Sequence, residues 1–125
     1  MADDAPFHAH IYYRDGERDA ATALRDHFAE QAEILFVGRM MDGPVGPHPL
    51  PQFEVHFLAP AVPAVTAMIE ATGLLGLVHP LTDDDLADHV ELGRWIGGDA
   101  LELDTKVLDP PGVNQGIPRF GISDF

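Results

Sequence analysis

Phe7-His8-Ala9-His10-Ile11-Tyr12-Tyr13 is the stretch on which the fold turns. Aromatic and β-branched residues favour an extended backbone, and the alternation has the period of a strand. Successive strand side chains point to opposite faces, so Phe7, Ala9 and Ile11 look one way and His8, His10 and Tyr12 the other. The apolar side of such a strand needs a cover, which the rest of the chain has to supply.

Asp15-Gly16 is a turn signal, after which Ala21, Leu24, Phe28 and Ala32 recur at helical spacing. They predict an amphipathic helix from about residue 18 to 33. Ile34–Met40 reads as a second strand. Asp42–Pro51 (DGPVGPHPLP) holds four prolines and two glycines; proline fixes φ and lacks an N–H, so this is a stiff loop carrying His48. Gln52–Leu58 is a third strand with Phe53, Val55 and Phe57 toward the core and Glu54 and His56 on the other face. A second helix begins near Pro63 and stops at Gly73. Leu75–His79 is a fourth strand. Thr82 and the aspartates after it suit the start of a third helix, which carries His89 and runs to about Trp95. Ala100–Val107 alternates again and reads as a fifth strand.

Strand–helix–strand, twice over, is the order of a ferredoxin-like α+β sandwich, an antiparallel sheet with helices on one face. In that topology the first and third strands are central neighbours and the fourth lies beside the first. The helices would cover Phe7, Ala9, Ile11, Phe53, Val55 and Phe57. An open face would then receive His8, His10, Tyr12, Glu54, His56 and His79.

At 125 residues, 46% hydrophobic and 22% charged, the chain is expected to be one folded domain over residues 1–125. Residues 1–5 are expected to be disordered and the Pro/Gly-rich tail 109–125 irregular. An open sheet face and such a tail predict a homodimer. The longest apolar stretch, Leu74–Val78, is far short of the roughly 20 residues of a membrane span. Met1–Pro6 has no basic region and does not read as a signal peptide, so a cytoplasmic address is expected.

Cysteine is absent, which removes disulfides, thiolate nucleophiles and sulfur-ligated metal sites. Any metal must be held by imidazole and carboxylate. A formal charge of −14, with Lys106 the single lysine beside six arginines, argues against nucleic acid and anionic membranes as partners. No nucleophile elbow, phosphate loop or H-E-x-x-H is present.

His8 and His10 form an H-x-H pair whose rings leave one strand face about 6–7 Å apart at the backbone, a workable ligand spacing. Ordinary strand histidines have the same pattern. Glu54 and His79 on neighbouring strands favour metal, since two histidines and a carboxylate on one rigid face compose a facial triad. Glu54 could instead be solvated or paired with Arg39. His48, between Pro47 and Pro49, suits a pre-positioned acid/base or ligand, or is incidental to a stiff turn. His89 either folds back over the sheet or is structural, and His27 is assigned no role.

Phe7-His8-Ala9-His10, Gly46-Pro47-His48-Pro49 before Phe53-Glu54-Val55, and His79-Pro80-Leu81-Thr82 followed by Asp84–His89 and Trp95-Ile96-Gly97 resemble the DOPA 4,5-dioxygenase family. The resemblance runs from about Phe7 to Asp104. His8, His10, His48, Glu54, His79 and His89 fall on family motif positions; His27 and His56 do not obviously do so. Asp83 departs from the glycine expected there. The resemblance implies a ferredoxin-like dimer that opens catechol rings in the extradiol manner.

The expected function is a non-haem extradiol-type dioxygenase acting with O₂ on a small aromatic, catechol-like substrate. Fe(II), or Zn or Mn in its place, would be held by two or three of His8, His10 and His79, with or without Glu54. His48 or His89 would serve as acid/base, Tyr12 would contact the ring, and Arg39 or Arg94 would pair with a substrate carboxylate. Two other classes keep a claim on the same residues: a non-catalytic metal- or small-molecule-binding module, and a cofactor-free monooxygenase or isomerase.

Overall fold

The structure, a computed structural model, describes residues 5–82, 84–108 and 120–121. The expectations for most of the N-terminal stretch and the tail therefore lie outside the described residues. Strand β1 (Pro6–Tyr12) is followed by helix α1 (Arg18–Ala29), β2 (Ile34–Val37), β3 (Gln52–Leu58), α2 (Val62–Thr72), β4 (Leu75–Pro80), α3 (Asp85–His89) and β5 (Arg94–Ile96). The five strands form one antiparallel sheet in the order β2-β3-β1-β4-β5. Its first four positions follow the ferredoxin-like arrangement, with β5 added beside β4.

The apolar face is closed as the alternation predicts. Ala9, Ile11, Phe53, Val55, Phe57 and Val78 pack beneath Ala21, Leu24 and Phe28 of α1 and Val65 and Ile69 of α2. Gly73 takes a left-handed φ of 75° and ends α2, a conformation that costs glycine least.

Four boundaries differ from the sequence reading. Helix α1 stops at Ala29, and β2 is limited to Ile34–Val37. Helix α3 ends at His89, so Trp95 lies in a strand. Its cap is the Asp84 side chain, which accepts from the Ala87 N–H, whereas the Thr82 hydroxyl donates to Asp88. At Gly93 a Cβ would sit 2.8 Å from the His89 carbonyl oxygen and 2.9 Å from Leu77 Cδ1, an approach that a side chain would block. The strand expected over Ala100–Val107 does not form: 101–104 is irregular and Thr105–Val107 is a 3₁₀ turn capped by Asp104. Leu101 and Leu103 alternate because both pack against Tyr12, Leu75 and Leu77, not because they join the sheet.

The second face is not open. His8, His10, Tyr12, Glu54, His56 and His79 are all buried within a single chain. The Pro-rich loop is tied down by Tyr13 N–H to Pro51 O and Asp104 N–H to Pro47 O. Together with α3, Trp95, Leu101 and Leu103 it covers that side. A dimer inferred from an uncovered sheet face loses that support. Among the described residues no helix is long and apolar enough to cross a membrane.

Two left-handed glycines separate backbone conformation from steric contact. A Cβ at Gly73 would meet nothing within 4 Å, whereas one at Gly97 would press on the Leu74 carbonyl oxygen. Gly73→Ala should cost about 1–2 kcal/mol, the cost of a left-handed L-residue. Gly97→Ala should cost clearly more in urea unfolding, and equal losses would contradict the close backbone approach at Gly97.

Candidate metal centre

Register brings the histidines together. His8 on β1 opposes His56 on β3 and His79 on β4, and His10 opposes Glu54. Opposed residues share a sheet face, so the rings converge without any loop having to place them. His48 arrives from the Pro-rich loop, its backbone N–H and C=O both bonded to Val45. His89 comes from the last turn of α3. That helix is anchored by Asp88, fully buried, which accepts from the Thr82 N–H at 2.8 Å and the Thr82 hydroxyl at 2.6 Å. His79 and His89 end with ring centroids 4.1 Å apart, as do His10 and His48.

The hydrogen bonds at the centre fix where the ring protons lie. His79 Nδ1 is 2.8 Å from the Pro80 carbonyl oxygen, which can only accept, so this nitrogen donates. His10 Nδ1 donates to Gln52 Oε1 at 3.0 Å. In neutral imidazoles both Nε2 atoms then present lone pairs, and they face each other at 2.9 Å. Two lone pairs at that separation repel unless a cation lies within reach of both. Metal–nitrogen bonds of about 2.0–2.1 Å would let both reach one ion. A backbone or side-chain carbonyl behind each Nδ1–H is also the usual support of a ligating histidine.

Burial keeps these rings neutral, the form that ligates. Burial, reinforced by neighbouring histidines, holds His10 and His79 well below the usual imidazole value. Burial and the nearby His89 lower His48 to about 3. Tyr12 is pushed up by burial, and its hydroxyl lies 2.7 Å from His48 Nδ1.

Three groups can each bring one ligand atom per residue within 4.8 Å of the others: His8 with His10 and His79, His10 with His48 and His89, and His8 with Glu54 and His56. The first two contain only histidines. Glu54 belongs with His8 and His56, its Oε2 3.2 Å from His8 Nδ1 and from His56 Nε2, rather than with His10 and His79. The imidazole set around His10 and His79 therefore fits a divalent ion, with His8 or the His48–His89 pair beside it. A cavity of about 560 Å³ reaches His48, lined by the Pro-rich loop and 102–106.

The remaining expected residues lie elsewhere. Arg39 is exposed beyond β2, and Arg94 is exposed on β5, flanking Trp95, which packs with Tyr12. His27 is exposed on α1. Sequence reasoning passed over Gln52, although its parity with Glu54 and His56 places it on the same face. It gave His56 no role and did not identify Asp88 as the anchor of α3.

An α+β sheet with a buried, neutral imidazole cluster defines a protein able to hold a divalent ion beside a small-molecule cavity. The chain belongs to the Dopa 4,5-dioxygenase family, whose family model matches residues 7–107, and the resemblance seen in its histidine motifs is borne out. It is 33% identical over 103 residues to the DOPA 4,5-dioxygenase of Amanita muscaria, covering 73% of this chain and 44% of that protein. An uncharacterized 21.2 kDa protein of Botryotinia fuckeliana is 28% identical over 117 residues, covering 82% of this chain and 62% of the relative. The chain thus spans about half the length of the curated relatives it matches. Among solved structures, a candidate dioxygenase from Nostoc punctiforme aligns with a TM-score of 0.73 at 37% identity, covering 84% of this chain and 91% of that one.

His10→Ala or His79→Ala should weaken Zn(II) or Fe(II) binding by about tenfold or more, since even outer supports of a metal are worth about 10–100-fold. His27→Ala should leave it unchanged. Calorimetric titration of untagged protein checks this, and equal effects at all three positions would contradict the assignment of the cluster.

Proposed function

We propose that the chain is a non-haem, metal-dependent extradiol-type dioxygenase that opens the ring of a catechol-type small molecule, Fe(II) being the ion held by His8, His10 and His79. The carrying observation is the pair of Nε2 lone pairs on His10 and His79, 2.9 Å apart, in a chain of this family. When bound, the ion supplies Lewis acidity toward the two catechol oxygens and a path for electrons toward O₂. Both oxygen atoms enter the product as one ring carbon–carbon bond breaks, so no further reductant is needed.

The chain's own residues handle substrate and protons. The cavity at His48 admits the catechol from the side of the Pro-rich loop. His48, held neutral at neutral pH, takes a hydroxyl proton from the substrate as general base. Its Nδ1–H donates to the Tyr12 hydroxyl oxygen at 2.7 Å, the tautomer that leaves the Nε2 lone pair to take that proton. His89, beside His79, returns a proton later in the reaction. Burial excludes bulk water from the cluster, which strengthens each of these interactions. Glu54 backs His8 instead of joining the ligands. Arg39 and Arg94 are left outside the reading because both are exposed away from the cluster.

Anaerobically Fe(II)-loaded protein should consume O₂ with at least one of DOPA, caffeate, protocatechuate or catechol and give a yellow ring-opened semialdehyde. His48→Ala should lower turnover by about 10²–10⁴-fold, as loss of an acid/base group does, with far less effect on iron content. Iron that stays bound while no catechol supports oxygen uptake would overturn the catalytic reading in favour of a binding module.

A further inference from the structure

In the third group, His8 with Glu54 and His56, His56 has no part in the proposed chemistry, and two functions are open to the group it completes. It could hold a second cation, or it could brace the first. The protons decide. The Gly121 backbone N–H points at His56 Nδ1 at 2.8 Å. A backbone N–H can only donate, so Nδ1 carries the ring's lone pair and the single proton of the neutral imidazole lies on Nε2. A protonated Nε2 is no metal ligand. It is a donor, and Glu54 Oε2 stands beside it at 3.2 Å, as it does beside His8 Nδ1.

The surroundings agree with a brace. Glu54 Oε2 and His56 Nε2 are both buried, and neither is aligned well enough here for a hydrogen bond. Each is a group that can satisfy the other, at 3.2 Å. Among the described residues no lysine or arginine is buried, so no buried guanidinium or ammonium competes with the imidazole N–H groups for this carboxyl. The His56 ring is held in place by stacking on His8, with centroids 3.6 Å apart, and by Phe36 and Phe120 at 4.5 and 5.7 Å.

We infer that His56 is a positioning residue: with its tautomer set by Gly121, it holds Glu54 against His8 and so orients His8 toward His10 and His79. The function assigned to this orientation rests on the metal reading above. The group itself holds no second ion.

The test combines a measurement that needs no metal with one that does. Long-range proton–nitrogen correlation spectra of metal-free protein should show His56 protonated on Nε2; protonation on Nδ1 would overturn the inference. His56→Phe keeps the aromatic packing and should weaken Zn(II) binding, measured by chelator competition, by about 10–100-fold, the range for outer supports of a metal. His56→Gln, with an amide N–H near the Nε2 position, should recover most of the affinity. His56→Asn restores only the acceptor for Gly121 and should not. Recovery by Asn instead of Gln would also overturn it, and this pair decides even if the Phe variant fails to fold. Wild-type protein that binds no divalent ion would overturn the metal reading, while the His56 tautomer would still decide the brace.

Discussion

β1 runs between two antiparallel neighbours, and its register sets His8 opposite His56 on one side and His79 on the other. Directly opposed residues put their Cβ atoms about 4.5–5.5 Å apart, so three imidazoles meet as a consequence of strand pairing alone. A slip of β1 by one residue would turn His8 and His10 toward the helices and away from His56 and His79. Ala9, Ile11, Phe53, Val55 and Phe57 forbid that slip, because they fill the space beneath Phe28, Val65 and Ile69. Apolar packing on one face thus holds the register that polar chemistry uses on the other.

A cluster of buried histidines is stable only while its rings stay neutral and their N–H groups find acceptors. Burial enforces the first condition at His10, His48 and His79. Pro80 and Gln52 meet the second for His79 and His10. The outcome leaves nitrogen lone pairs directed at one another, a poor arrangement for a metal-free protein and a good one for a ligand set. The acidity of the chain, −14 overall, plays little part inside. Among the described residues Glu54 and Asp88 are the buried carboxyl groups, one beside His8 and His56 and the other organising α3.

The match to the family ends at residue 107, yet Phe120 and Gly121 reach back to His56. His56 is also a histidine that the family motifs do not obviously include. The centre therefore has two layers. His8, His10, His48, Glu54, His79 and His89 all lie within the matched region, whereas Phe120 and Gly121, which contact His56, lie outside it.

Period-two alternation in Phe7–Tyr12 and Gln52–Leu58 by itself determined which residues are helix-covered and which share the histidine face, because a strand allows only two directions. The same parity put His79 with His8 and left His27 on a helix. Glycine at 73 marked the end of α2 for a local reason, its left-handed φ. Residues whose placement depends on distant partners were not legible. The alternation of Leu101 and Leu103 imitates a strand while serving a packing layer. The third helix reads longer than it is because Arg94–Ile96 pair instead with Gly76–Val78 of β4, a partner far away in sequence. Most of all, the sequence leaves the second face bare, and only tertiary structure folds the Pro-rich loop, α3 and Trp95 across it. Burial and proton direction are properties of that cover. They turn a row of strand histidines into a candidate metal centre, and they depend on contacts that no local pattern encodes.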